Sequence, residues 1–311
     1  AVALMQAIGW QLAAMAAVLA VVVGPGLVAT WLILRRRRLV RKERRSPLTA
    51  DLLRTPGHAL RERLDDARLD LAFDVMQLMV FPALALAALY AAGLATGRHL
   101  SVWLLGVLAL AWLGYAAVRV AALRRRSAEM DRWRIGLDAE LAVGQELDQL
   151  MRDGAIVFHD VPGEQFNVDH VVIAPQGVFA VETKGYTKPN RGGGGEDATV
   201  VFDGKTLAFP TWSGSKPLQQ AERQAAWLAR WLTSATGEPV HVAPVLALPG
   251  WYVDRRGRGD VLVFNGRELR GNLLRARTAR PIAAEQVQRI AHQVEQRCRN
   301  VLPGFRPLDD A

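Results

Sequence analysis

Three long stretches of the chain carry no charged side chain: Ala1 to Leu34, Val75 to Gly97 and Leu100 to Val118. Each provides about the 20 apolar residues that a helix needs to cross a bilayer's hydrocarbon core. The pattern predicts three membrane spans, near residues 6–34, 75–97 and 100–121. Between the first two runs, residues 35–74 are polar, with leucines at helical spacing (Leu60, Leu64, Leu69) after a Thr55-Pro56-Gly57 break. That spacing predicts an amphipathic cytoplasmic link able to lie on the membrane surface.

After Arg126 the pattern shortens and becomes globular. A helix is expected from Met130, ended by Gly154. A strand at Ala155–Val161 and a hairpin from Asn167 to Tyr186, turning at Pro175-Gln176-Gly177, come next. A glycine-rich loop at Lys188–Ala198 precedes a second hairpin at Thr199–Phe209, whose Asp203-Gly204 pair is a strong turn signal. A helix opens at Lys216-Pro217, strands follow at Val240–Gly250 and Val261–Leu269, and a helix closes the chain at Ala283–Arg299. This order predicts a mixed α/β domain over 127–311, its sheet covered on both faces, behind a membrane region over 1–126. No internal repeat is visible.

Charge refines that division. The net charge of +9 invites a nucleic-acid reading, but residues 1–126 hold 17 Lys and Arg against 7 acids, while residues 127–311 hold 22 against 23. The basic excess therefore reads as topology signal and lipid-headgroup contact. Arg35 to Arg45 and Arg124 to Arg126 belong inside and the Arg98–Leu100 link outside, which gives an N-terminus out and the α/β domain in. The expected location is the inner (plasma) membrane, multi-pass. A cleaved signal peptide would carry its basic residues ahead of a shorter apolar core, the reverse of what stands here. The first residue is not Met, as expected of a trimmed start. From Asp254 to Arg280 there are eight Arg against three acids, which suits either a phosphate-facing patch or a solvated loop. The lone Cys298 excludes a disulfide framework and a Cys-based metal site.

The candidate chemistry interrupts the first hairpin. Side chains two apart on a strand share a face, so Glu182 and Lys184 point together and Thr183 points away. Hairpin pairing would bring Asp169 to the same end of the sheet. Unpaired charges there would be costly. Two carboxylates holding a divalent cation beside an ammonium would resolve that cost and suit phosphodiester hydrolysis. A salt-bridged strand end fits the same spacing. On a wheel of about 100° per residue, Leu137, Leu141, Gly144, Leu147, Leu150 and Met151 form an apolar stripe with Glu140 near its middle. A carboxylate there needs a partner. Gln220 and Gln224 stand one turn apart, and their amides could bridge a phosphate or a metal-bound water. A solvated face is the competing reading, more so for Gln224. His159 and His170 lack metal-ligand spacing and read as packed or surface residues.

The series Gly136-x3-Glu140, then VDHVVIAPQGVFAVETKGY, then KPLQQA resembles the NERD (nuclease-related) domain, a branch of the PD-(D/E)xK nuclease superfamily. The resemblance covers about residues 130–275. It implies a restriction-endonuclease-like mixed sheet flanked by helices. Its active-site set would be Glu140, Asp169, Glu182 and Lys184, with Gln220 assisting. Mg²⁺ or Mn²⁺ would be held by Asp169, Glu182, the Thr183 carbonyl and Glu140. Val168 stands where the superfamily name has Pro, Lys216 where the family more often has Asn, and Gly192–Asp197 looks inserted.

The expected function is a membrane-anchored, metal-dependent nuclease acting on DNA, with no small-molecule cofactor. An inactive nuclease-fold module that binds nucleic acid or signals at the membrane is the alternative. A scaffold whose spans associate is a third reading, since small residues near the third run allow close packing in a homo-oligomer.

Overall fold

The computed structural model describes residues 50–97, 101–192, 194–276 and 280–302, with Ala13, Ala17, 24–26, 28–36 and Leu48. Most of the first expected span, and the basic run after it, lie outside the described residues. Among the described residues two helices are long and apolar enough to cross a membrane, His58–Gly93 and Val102–Asp153. They correspond to the second and third of the three expected spans, and the first falls mostly outside the described residues. These segments form α1 (His58–Thr96) and α2 (Val102–Asp148). Their apolar side chains stand bare, Met79 at 73% and Trp103 at 87% exposed. Contiguous bare apolar surface marks a face meant for lipid or protein. Residues Asp66–Glu129 group in one compact unit, in which Asp74 is buried and held by Arg119 and by Arg126 (2.6 Å). A buried carboxylate requires such partners, and the pairs tie α1 to α2 at the start of the second apolar run.

α1 begins directly after the Thr55-Pro56-Gly57 break, as expected, but it then runs unbroken into the apolar run. The separate surface link is thus replaced by one long helix, because only Pro82 interrupts its helix-forming sequence. Residues Ala50–Asp65 group with Met130–Pro303 as one compact unit. Leu64 is buried in it, whereas Leu69 is exposed.

That unit is built on a five-stranded sheet of β2 (Ile156–Pro162), β3 (Asn167–Ala174), β4 (Gly177–Thr183), β8 (Val242–Ala247) and β10 (Leu262–Phe264), in spatial order β10-β8-β4-β3-β2. β2, β3 and β4 form an antiparallel meander, and β8 and β10 continue in parallel. Helices cover both faces. α3 (Lys216–Thr236) and α5 (Ala284–Cys298) pack Leu228, Leu232, Ile290 and Val294 on Val171, Ile173 and Ala180. On the other face, α2, the turn that follows it and the short α4 (Leu269–Asn272) pack Val143, Leu147, Leu150 and Leu269 on Val172, Phe179 and Val181. Such double coverage makes β4 buried from end to end.

The buried stripe of α2 departs from the wheel in two places: Val143, within the helix, is buried, and Met151, past its end, is half exposed. The chain tightens into a 3₁₀ turn at Gln149–Asp153 before Gly154 adopts φ +82°, which rotates Met151 out of register. A second sheet went unforeseen. It joins β5 (Thr199–Phe202), β6 (Leu207–Ala208), β7 (Ser213–Gly214) and β9 (Tyr252–Arg255). β1 (Leu52–Leu53) pairs with β11 (Arg299–Val301), fastening the segment before α1 to the end of the unit.

Candidate active site

β4 places one charged side chain, Glu182, inside an otherwise apolar central strand, where it is 1% exposed. The β3–β4 register pairs His170 with Val181, so Asp169 comes next to Glu182 across the ladder. The Thr183 amide donates to Asp169 Oδ2 at 2.7 Å, which fixes that carboxyl at the strand end. Lys184, just past the strand, pairs with Glu182 Oε1. The other oxygen, Oε2, is buried without a partner. The Lys184 amide bonds the Ala247 carbonyl (3.0 Å), holding this end of the chain against β8.

α2 supplies the third carboxylate. A Cβ at Gly185 would lie 2.6 Å from the Ile135 carbonyl oxygen and 2.9 Å from Ala139 Cβ. Glycine there lets α2 approach the end of β4, and Glu140 is carried beside the other acids, nearly buried. The wheel's placement of Glu140 in the packed stripe holds. It explains why an acid sits there, since the sheet end offers it charged company.

The electrostatics follow from burial. The Glu140 carboxyl is pushed up to about 7 by burial first, then by Asp160 and Glu182, against the pull of Lys184 and Arg63. Burial raises Asp169 well above the usual carboxylate range, and Glu182 and Glu140 add to it. Burial disfavours the charged form of Lys184, yet Glu182 and Asp169 together leave its pKa raised. Three carboxylates thus share the charge of one ammonium. Between the ordinary value of 4.5 and about 7, folded Glu140 holds a proton that the unfolded chain has lost. Stability should therefore fall as pH rises through that window. Glu140→Gln is expected to flatten the decline and raise the metal-free melting temperature at alkaline pH. Melting curves that run parallel for variant and wild type across the window would contradict this.

Around the carboxylates the assignments divide. Gln224 is buried and donates to the Asn167 carbonyl (3.2 Å), a structural role at the start of β3. Gln220, one turn earlier on α3, is half-buried, and among the described residues no hydrogen bond ties it to the acids. The Thr183 hydroxyl is buried without a partner. Both histidines are packed, Nδ1 to Nδ1 at 2.9 Å, with His159 Nε2 against Asp148 (2.9 Å). Burial lowers the pKa of each. In the arginine-rich stretch, Arg255 and Arg256 are paired with Glu268 and Asp254.

Sequence reasoning missed Asp160. It is buried with φ +49°, rare for a non-glycine residue. Its Oδ2 accepts from Arg54 and from the Ala59 amide, each at 3.0 Å, and its Oδ1 from Asn167 (2.9 Å). No periodicity marks such a residue, because two of its three partners lie 106 and 101 positions upstream.

Among the described residues, no group of three or more His, Cys, Asp or Glu converges closely enough to form a metal cage. Mg²⁺ characteristically takes only one or two carboxylates and keeps waters. The donors at hand are hard oxygens, and the orphaned Glu182 Oε2 fits that habit.

A mixed α/β unit with desolvated carboxylates and a lysine at one sheet end is the class of site that fold and geometry define. Residues 135–249 match the family model of NERD, the nuclease-related domain. That segment holds all five residues expected from the sequence, from Glu140 on α2 to Gln220 on α3. No curated protein and no solved structure matches the chain.

Proposed function

We propose that the protein is a membrane-anchored, metal-dependent nuclease that hydrolyses DNA phosphodiester bonds, with a restriction-endonuclease-like unit of the PD-(D/E)xK kind on the cytoplasmic side. The observation that carries the reading is the gathering of Asp169, Glu182 and Glu140 around Lys184 at the end of β4, with Glu182 Oε2 unpartnered. Asp169, Glu182 and the Thr183 carbonyl would hold Mg²⁺ or Mn²⁺, with Glu140 beside them. When bound, the ion supplies Lewis acidity toward a phosphate oxygen and a more acidic water.

The chain's own groups do the rest. The Thr183 amide fixes Asp169 Oδ2, leaving that carboxylate one orientation. Lys184, whose charged form Glu182 favours, presents a cation where negative charge grows on the phosphorus oxygens. Glu140, poised near neutrality, can exchange a proton at its carboxyl. The Gln220 amide is available to orient a water from α3. The apolar runs of α1 and α2 would hold the unit at lipid.

The test is hydrolysis of labelled linear, circular and single-stranded DNA by the full chain in detergent. Strand breaks are expected with Mg²⁺ and none in EDTA. The absence of breaks on every substrate with either Mg²⁺ or Mn²⁺ would remove the reading. A second reading, a nuclease fold kept as a tethered nucleic-acid-binding or signalling module, draws on the near balance of charge over residues 127–311, 22 basic against 23 acidic. Calorimetry that finds no divalent-cation binding would favour it.

A further inference from the structure

The segment that precedes the matched domain also reaches the candidate site. The start of α1 and the residues before it are fastened to the unit by the Ala59 amide and Arg54, both on Asp160, and by the Arg54 amide on the Cys298 carbonyl (3.2 Å). From there α1 runs alongside α2. A Cβ at Gly57 would meet Leu137 at 2.3 Å and Glu140 Oε2 at 3.6 Å, and one at Gly136 would meet Leu60 at 3.3 Å. Position 57 thus sits level with 137–140 and position 60 level with 136, so the two helices pass in opposite directions beside Glu140. Helical side chains lean toward their own N-terminus. Arg63, three positions after Leu60, therefore leans back toward the carboxylates. It is exposed, and among the described residues no hydrogen bond or ion pair holds it.

We propose that Arg63 is a phosphate-contacting residue of this site, supplied from outside the matched domain by the first turns of α1. The proposal rests on the nuclease reading for its ligand, a nucleic-acid phosphodiester. The site gathers three carboxylates, and its one lysine is committed to Glu182. An anionic substrate approaching that cluster needs a further cation, and a guanidinium suits phosphate by its forked donors. Arg63 lies near enough to Glu140 for the two charges to interact. By contrast, Arg54, Arg255 and Arg256 are held by local acids.

The test is fluorescence anisotropy of a labelled DNA oligonucleotide on the full chain in detergent, in EDTA, across a salt series. Arg63→Ala is expected to bind roughly 5- to 10-fold more weakly near 0.1 M salt, with the log–log salt slope reduced by about one. Arg63→Lys should restore most of the slope, and thermal melting should not move. Arg61, two positions earlier and on the opposite side of α1, is the control, and Arg61→Ala should bind as wild type. Wild-type affinity and slope in Arg63→Ala would overturn the proposal, as would an equal loss in Arg61→Ala. Binding is read without hydrolysis. A failure of the nuclease reading would appear instead as absent cleavage alongside an intact Arg63 effect.

Discussion

Glu182→Gln should abolish metal-dependent cleavage, by at least about 10²- to 10³-fold, while the protein stays folded. The amide keeps the shape of the side chain but removes the charge that would hold the cation and that favours the Lys184 ammonium. It also relieves Asp169 and Glu140 of a like-charged neighbour. Its melting temperature should therefore match or exceed that of wild type in metal-free buffer. Lys184→Ala should be equally inactive but less stable, because it strips the partner from a carboxylate that is 1% exposed. The two variants thus separate chemistry from folding. Unchanged cleavage rates in either one would sink the assignment.

Gly185→Val should disrupt both fold and site. Its Cβ would fall 2.6 Å from a backbone carbonyl oxygen of α2, and backbone cannot swing aside as a side chain can. Either α2 moves off the sheet end or the chain after Lys184 is displaced. The expected cost is about 3 kcal/mol or more. Loss of Glu140 from the cluster should follow, so activity should fall further than the loss of folded protein explains. A melting temperature within a degree or two of wild type would contradict the close approach of α2 and β4.

Much of the central arrangement was legible in the sequence because it follows from short-range periodicity. Alternation along β3 and β4 put Glu182 and Lys184 on one face, and the Pro175-Gln176 turn fixed the register that brings Asp169 across. The helical wheel found Glu140. What escaped lies in long-range pairing. β9 joins the second sheet through parallel pairing with β5 (Thr199 with Tyr252), and no turn signal announces a parallel partner. β1 is two residues long and defined by a partner near the opposite end of the chain. Asp160 is one acid in an apolar strand. Only the fold reveals that it holds Arg54 and the start of α1. The polarity of the link before the second apolar run matches a surface helix. Its first turns instead pack on the α/β unit, with Leu64 buried.

The central claim is that the carboxylates at the end of β4 form a metal-binding reaction centre. Titration of Mn²⁺ into the full chain, followed by electron paramagnetic resonance for wild type and Glu182→Gln side by side, tests it most directly. Saturable binding in wild type that is lost or severely weakened in Glu182→Gln is the predicted result. Equal binding in both proteins, or none in either, would contradict it.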